Sequence, residues 1–129
     1  MANNEKRAAI YCRTACKNEH SIIAIEAQRE TLQHLAQKCG CSVVGVYTDI
    51  GYSGNSLNRP GLVSLSADTN AGKIDIILAQ RIDRVARDIL LAYGWLDNLQ
   101  QLGIEFIAAD GTHDLTLAPI INTIKKRVS

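Results

Sequence analysis

The feature that most constrains the fold of this chain is the alternation of short apolar runs with longer amphipathic segments. Runs rich in Ile, Val and Ala predict strands, and apolar residues at helical spacing predict helices between them. The predicted strands cover residues 7–13, 42–48, 74–79 and 104–108, and the predicted helices cover 25–39, 62–71, a stretch from 84 or 88 to 101, and 119–128. Because strands that alternate with helices form parallel sheets, the sequence predicts a three-layer α/β fold. Its mostly parallel sheet has four to five strands, with helices on both faces.

Further expectations concern the segments on either side of the second strand. Gly40 follows the helix 25–39 at the position where a glycine commonly ends a helix. Residues 42–48 are valine-rich, and apolar enough for this strand to be covered on both faces. Residues 49–61 contain three glycines and one proline, which predicts an irregular loop. This loop is longer than a typical connection, which favours a functional role.

Composition excludes several classes of protein. A net charge of +1 gives no global electrostatic signature, so an anion site would need local clustering of charge. No apolar run reaches the ~18 residues of a membrane span, and the first residues contain no signal-peptide pattern. These observations predict a cytoplasmic protein without membrane association. The four cysteines have C-x3-C and C-x-C spacings without a histidine pair beside them, so we expect reduced thiols and no metal site.

Arginines cluster where the predicted strands end. Arg13 ends the first strand, which is expected at the centre of the sheet, and ligands meet such sheets at the carboxyl ends of the strands. After the third strand come Arg81, Asp83, Arg84 and Arg87, of which Arg84 and Arg87 are three apart and would share a helix face. Cations at a helix start oppose the helix dipole by ~0.3–1 kcal/mol each. Their presence is explained if an anion binds there, and the alternative is a solvated helix start with intrahelical ion pairs.

Arg59, in the loop, would be a fourth guanidinium beside Arg13, Arg84 and Arg87. The chain contains no P-loop and no G-x-G-x-x-G motif, and it shows no carboxylate cage for a metal. Four arginines in this setting suggest a phosphodiester that is handled without a cofactor, either nucleotide or metal.

Several of these segments resemble the serine recombinase family, which comprises resolvases, invertases and serine integrases. The resemblance lies in Tyr11-Cys12-Arg13, the segment 25–29, the loop 51–61, and the segment 81–87, in that order and spacing. Residues 103–107 also look like the fourth strand of that family's catalytic domain. The resemblance covers roughly residues 7–111 and implies the resolvase-like version of the α/β fold.

The resemblance implies a site-specific recombinase that cleaves and exchanges DNA strands. In this family a serine attacks a DNA phosphate, and the products are a phosphoserine bond to the 5′ end and a free 3′ hydroxyl. Carried over by position, Arg13, Arg59, Arg84 and Arg87 match the phosphate-binding arginines. Asp83 matches the acidic residue that organises them, and Gln28 matches a supporting polar residue.

The chain departs from the family at the nucleophile, where Ala15 occupies the position of the serine. A methyl group cannot attack phosphorus, so cleavage is expected to be absent. Cys16 could reach the slot through a one-residue slip, although a thiolate is a soft nucleophile for phosphorus, and Ser21 lies too far along the chain. Glu19 stands about where the family often has glutamine, and its carboxylate would repel a phosphate. An engineered Ser→Ala replacement would explain Ala15 alone; because Thr14, Cys16 and Glu19 also depart, natural divergence is favoured.

Domain organisation and partners follow from the same resemblance. We expect a resolvase-like catalytic domain at residues 7–115, the start of a C-terminal helix at 116–129, and no DNA-binding domain within this chain. The basic residues 125–127 could contact phosphates or merely be solvated. DNA binding through the phosphate backbone should therefore be weak, and the chain is expected to form a homo-oligomer (a dimer) or to pair with another recombinase. The alternatives are a non-catalytic interaction module and, more distantly, a binder of small phosphorylated molecules.

Overall fold

The strands and helices follow the predicted alternation. A computed structural model describes residues 5–111 of the protein. In chain order the elements are β1 (Arg7–Thr14), α1 (Ser21–Cys39), β2 (Ser42–Ile50), α2 (Pro60–Asn70), β3 (Ile76–Ala79), a short 3₁₀ helix (Ile82–Arg84), α3 (Ile89–Gln101) and β4 (Glu105–Ala108). The predicted helix 119–128, the basic residues 125–127 and the end of the predicted domain lie outside the described residues.

The four strands form one parallel sheet in the order β2-β1-β3-β4. β1 is central, as predicted, and it pairs along its whole length with β2. Two buried clusters lie on the opposite faces of the sheet. Ile10 of β1 packs with Leu32 of α1 on one face, whereas Tyr11 packs with Leu62 of α2 and with Trp95 of α3 on the other. Alternating residues of β1 therefore serve both cores, and the predicted three-layer α/β fold is confirmed.

The prediction that the second strand is covered on both faces is wrong. β2 is an edge strand, and Val43, Val44 and Val46 are exposed. The pairing with β1 shifts between Ala8 and Ala9, so that Val44 is left without a partner residue. An edge strand has a neighbour on one side only, and an irregularity of this kind bends it away from the regular ladder. The valine-rich run is therefore a half-solvated strand at the rim of the sheet.

The helix boundaries differ from prediction at their starts. α1 begins at Ser21, four residues before the predicted start at residue 25. The prediction missed the first turn because Ile22 and Ile23 are exposed there and interrupt the apolar periodicity of the helix. α3 begins at Ile89, where the Asp88 carboxylate accepts hydrogen bonds from the backbone nitrogens of Leu90 (2.8 Å) and Leu91 (3.3 Å). Such a capping side chain defines the first turn of a helix. Its position decides between the two predicted starts in favour of residue 88.

The start of α3 has a consequence for the arginines. Arg84 ends the 3₁₀ helix, and Arg87 lies in the irregular segment before Asp88, so the two do not share a face of one helix. Their proximity depends on the turn after β3. By contrast, Gly40 ends α1 with a left-handed backbone (φ 70°), as predicted. No helix within residues 5–111 has the length and apolar character needed to span a membrane.

The exposure of β2 predicts how the two kinds of strand respond to substitution. Leu78→Ala in β3 removes a fully buried side chain and should lower the free energy of unfolding by ~2–5 kcal/mol. Val44→Thr on the rim should change it by less than about 0.5 kcal/mol. Urea denaturation of both variants measures the difference. A loss of about 2 kcal/mol at Val44 would mean that β2 is covered on both faces after all.

Candidate active site

The site is built around Arg13 at the carboxyl end of the central strand. Its side chain is buried, and three of its nitrogens donate hydrogen bonds to backbone carbonyls. Nε reaches the carbonyl of Arg84 (2.8 Å), Nη1 that of Tyr52 (2.7 Å) and Nη2 that of Asp83 (2.8 Å). Burial lowers the pKa of Arg13, and the nearby charge of Arg59 lowers it further. A buried cation is costly unless it is hydrogen-bonded, and these carbonyls provide the compensation.

Gln28 fixes the backbone from which the Arg13 side chain extends. This buried side chain of α1 accepts a hydrogen bond from the Arg13 backbone nitrogen at Oε1 (3.1 Å) and donates from Nε2 to the Arg13 carbonyl (3.0 Å). The two bonds replace the ladder partners that a strand loses where it leaves the sheet. The resemblance implied a supporting polar role for Gln28, and in the structure its side chain hydrogen-bonds the main chain of Arg13.

The turn after β3 brings the remaining arginines to the same edge. Ile82, Val85 and Ala86 are buried and anchor the turn in the core. The Arg84 carbonyl accepts hydrogen bonds from two guanidinium groups, those of Arg13 and Arg59 (Nη1, 3.1 Å). In return, Nη1 of Arg84 lies 3.4 Å from the Arg13 carbonyl. Turn and strand are therefore tied to each other through main-chain oxygens.

Asp49, at the carboxyl end of β2, is a buried member of this region that sequence reasoning missed. Its carboxylate accepts hydrogen bonds from the Tyr11 hydroxyl (2.7 Å) and from the backbone nitrogens of Gly61 (2.7 Å) and Leu62 (3.0 Å) at the start of α2. It caps α2 across the whole loop, so no local capping motif announces it. The signal that could have found it is strand register, which pairs Asp49 with Arg13.

The arginines enclose a cavity of about 190 Å³. Its lining consists of Arg13, Ala15, Arg81, Asp83, Arg84 and Arg87. Four arginines and one aspartate thus line it, and Arg81 joins three of the four arginines that the resemblance assigned to the site. Gln28 and Arg59, also among the predicted site residues, lie outside the lining. Guanidinium groups present planar sets of donors that match phosphate or carboxylate oxygens. The cavity is therefore suited to an anion.

Asp83 contacts two of the arginines in different ways. Its carboxylate lies 3.3 Å from Nε of Arg81, which is also 3.6 Å from a carboxylate oxygen of Asp110. Its backbone carbonyl, by contrast, accepts the hydrogen bond from Arg13. The acidic side chain thus orients Arg81, while the main chain of the same residue orients Arg13.

The glycine-containing loop closes over the arginines at Gly54. The Gly54 carbonyl accepts a hydrogen bond from the backbone nitrogen of Arg87 (3.0 Å). A Cβ atom at Gly54 would lie 2.5 Å from Cγ of Arg87 and 3.0 Å from Nη2 of Arg13. Only a residue without a side chain allows this approach. The predicted functional loop therefore packs directly on two of the predicted site residues.

Ala15 is the residue that the resemblance matches to the serine of the family. Ala15 directly follows β1 and lines both the arginine cavity and a neighbouring cavity of about 260 Å³. Cys16 lines only the neighbouring one, and Glu19 lines neither. The Ser21 hydroxyl donates to the Cys16 carbonyl (2.7 Å) and accepts from the Asn18 backbone nitrogen (2.9 Å). The hydroxyl of Ser21 is thus engaged in the first turn of α1.

Comparison with known proteins finds one matching family model and several similar structures. The sequence model of the resolvase N-terminal domain matches residues 8–123. The N-terminal catalytic domain of TP901-1 integrase is 25% identical with a TM-score of 0.81, over 95% of this chain and 93% of that chain. The C-terminal catalytic domain of ISC1926 TnpA, an IS607-like serine recombinase, is 25% identical with a TM-score of 0.71, over 93% of this chain and 78% of that chain. None of the curated proteins matches the sequence.

A third structure extends the likeness of the fold. A resolvase family site-specific recombinase from Streptococcus pneumoniae is 22% identical with a TM-score of 0.78. The superposition covers 95% of this chain and 87% of that chain. The elements that carry the arginine cavity thus belong to a fold shared along almost the whole chain.

The close approach at Gly54 predicts a loss of anion binding on substitution. Gly54→Ala should weaken binding of inorganic phosphate by about tenfold or more, because the side chains of Arg87 and Arg13 must move away from the added Cβ atom. Titration followed by NMR measures the affinity. Gly94→Ala is the matched control, since a Cβ there meets nothing within 4 Å and alanine favours a helix interior by about 1 kcal/mol. Unchanged phosphate affinity in Gly54→Ala would show that the approach does not shape the cavity.

Proposed function

We propose, on the premise that this chain belongs to the resolvase family of serine recombinases, that it binds DNA phosphates at the arginine cavity without cleaving them. The observation that carries the proposal is Ala15, which directly follows β1 and lines the cavity between the arginines. Binding requires the guanidinium groups, and cleavage additionally requires a nucleophile. This chain keeps the first and lacks the second.

The arginine cavity supports the binding half of the proposal. Arg84 and Arg87 extend from the turn after β3, and Arg13 enters from β1. A guanidinium has five N–H donors, and Arg13 uses one on each nitrogen for carbonyls. One N–H on each Nη is left for a phosphate oxygen. Because the net charge of the whole chain is only +1, the attraction for DNA is local to this edge of the sheet.

The lining of the cavity supports the second half, the absence of cleavage. In the family reaction, as the resemblance implies it, the serine oxygen loses its proton and bonds to phosphorus. The bond to the 3′ oxygen then breaks, and that oxygen gains a proton. No hydroxyl or thiol is among the described residues that line the arginine cavity. Loss of a serine nucleophile costs about 10⁶-fold in rate in a serine protease, so strand cleavage should be undetectable.

A second candidate function is that of an interaction module which pairs with another copy or with an active recombinase. It is supported by exposed apolar side chains at the starts of two helices. Ile22 and Ile23 lie in the first turn of α1, and Ile89 and Leu90 lie in the first turn of α3. Both turns are at the edge of the sheet that carries the arginines. Exposed apolar side chains in each turn favour contact with a protein partner.

The binding proposal predicts the effect of removing single arginines. Arg84→Ala and Arg87→Ala should each weaken binding to a DNA duplex of arbitrary sequence by about tenfold or more at low salt. Each should also lower the slope of log affinity against log salt by about 0.9, the value for one phosphate contact. Fluorescence anisotropy across a series of salt concentrations measures both quantities.

Arg29→Ala is the control for these variants, because this arginine lies on α1, away from the cavity, and pairs with Glu26 (2.6 Å). It should leave affinity and slope unchanged. If Arg84→Ala and Arg87→Ala also bind DNA like the unsubstituted protein, the DNA proposal fails. Self-association measured by sedimentation would then test the interaction module.

The missing nucleophile predicts a gain of function. Ala15→Ser should form a covalent phosphoserine adduct with a nicked DNA substrate that prevents religation, whereas the unsubstituted protein should form none. Denaturing electrophoresis separates the adduct from free protein, and mass spectrometry locates it. The double variant with Arg84→Ala should form much less, because the developing charge on the phosphate is no longer stabilised.

Two results would overturn the account of Ala15. One is an adduct formed by the unsubstituted protein, and its position at Cys16 would identify the thiol as the nucleophile. The Cys16→Ser variant is the control, since it moves a hydroxyl to the neighbouring cavity and should form no adduct. The other is a folded Ala15→Ser protein that binds DNA but gives no adduct, which would show that more than the serine is missing.

A further inference from the structure

Arg59 differs from the other arginines of the site in its position. It is 2% exposed, as Arg13 is, but unlike Arg13 it is absent from the lining of the arginine cavity. It directly precedes α2, whose first turn is held by Asp49. These hydrogen bonds from α2 to Asp49 fix the backbone next to Arg59, and α2 packs on the face of the sheet opposite to α1.

Both terminal nitrogens of the Arg59 guanidinium are occupied by contacts within the protein, whereas its buried Nε has no hydrogen-bond partner in the described part of the chain. Nη1 donates to the Arg84 carbonyl (3.1 Å), and Nη2 donates to the Val85 carbonyl. The centre of the group lies 5.6 Å from the centroid of the Tyr11 ring, within the range of a cation–π contact. The buried Asp49 carboxylate, held by the Tyr11 hydroxyl, attracts it electrostatically. The planar fork of an arginine can reach two adjacent carbonyls at once, and the single ammonium of a lysine cannot reproduce this geometry.

We propose that Arg59 is a positioning residue, which holds the Arg84–Val85 main chain from behind so that Arg84 and Arg87 are presented to the phosphate, and that it does not itself contact DNA. This inference rests on the proposed function, because it assigns the division of labour within the same site. It departs from what position in the sequence alone implied, namely that Arg59 is a fourth phosphate ligand.

The alternative requires a large rearrangement. To reach the cavity, the Arg59 side chain would have to leave both carbonyls and the Tyr11 ring. The Val85 carbonyl would then lose the hydrogen bond from Arg59, in a part of the turn where Val85 itself is fully buried. Buried carbonyl groups are almost always paired in folded proteins. Arg59 is therefore expected to keep its buried position when DNA binds.

NMR of the arginine guanidinium groups tests the proposal on the full chain. The signals of Arg84 and Arg87 should shift when a short DNA duplex is added. The signals of Arg59 should exchange slowly with water and should keep their positions. Shifts of the Arg59 signals that parallel those of Arg84 would overturn the proposal. If no arginine signal responds to DNA, the proposed function fails, and with it the role assigned to Arg59.

The variant Arg59→Lys provides a second test that does not depend on DNA. It keeps the charge but replaces the planar fork of the guanidinium by a single nitrogen, so the Arg84 and Arg87 signals should shift in the absence of DNA. DNA affinity should fall by about tenfold or more. The Arg29→Lys variant is the matched control and should change neither readout. A folded Arg59→Lys protein with unchanged Arg84 signals and unchanged DNA affinity would overturn the positioning role, even if the wild-type protein binds DNA as proposed.

Discussion

The carbonyl oxygen of Arg84 is the contact on which the rest of the site depends. It accepts hydrogen bonds from Arg13 on the central strand and from Arg59 before α2. A carbonyl has two lone pairs, so one oxygen can join both arginines to the turn after β3. Without this junction, three segments that are far apart in sequence would have no shared fixed point. The fold thus positions the main chain, and the main-chain oxygens in turn position the arginine side chains around the cavity.

The same arrangement concentrates positive charge that the protein only partly neutralises. The charge of Arg59 lowers the pKa of Arg13, which expresses the repulsion between two neighbouring guanidinium groups. Asp83 forms an ion pair with Arg81, and the Asp49 carboxylate accepts hydrogen bonds from Tyr11 and from the first turn of α2. No carboxylate among the described residues contacts Arg84 or Arg87 within ion-pair distance. An anion in the cavity would relieve this repulsion, and that gain is available only when the anion is bound. The site is therefore organised in advance for a charge that it does not itself supply.

Much of the fold could be predicted from the sequence, because it depends on local pattern. The alternation of elements, the central position of β1 and the left-handed end of α1 at Gly40 were all predicted correctly. The errors arose where burial or position depended on distant parts of the chain. Val44 was expected to be covered, yet β2 lies at the rim. Arg84 and Arg87 were placed on one helix, yet Asp88 caps that helix after them. Asp49 was not predicted at all, because its partners at Gly61 and Leu62 are on the far side of a loop.

The contacts that position the arginines do not depend on residue 15, which is why the proposed function can combine phosphate binding with an absence of cleavage. None of the contacts that place Arg13, Arg59 and Arg84 involves the side chain of residue 15, since they run to carbonyls at residues 13, 52, 83, 84 and 85. Gln28 holds the backbone of Arg13, and the Thr14 carbonyl accepts from the backbone nitrogens of Gly51 and Tyr52. Replacing a hydroxymethyl group by a methyl group at residue 15 changes none of these bonds. Under the proposed function, binding and chemistry therefore depend on different groups of the site, with the arginines serving the first and residue 15 the second.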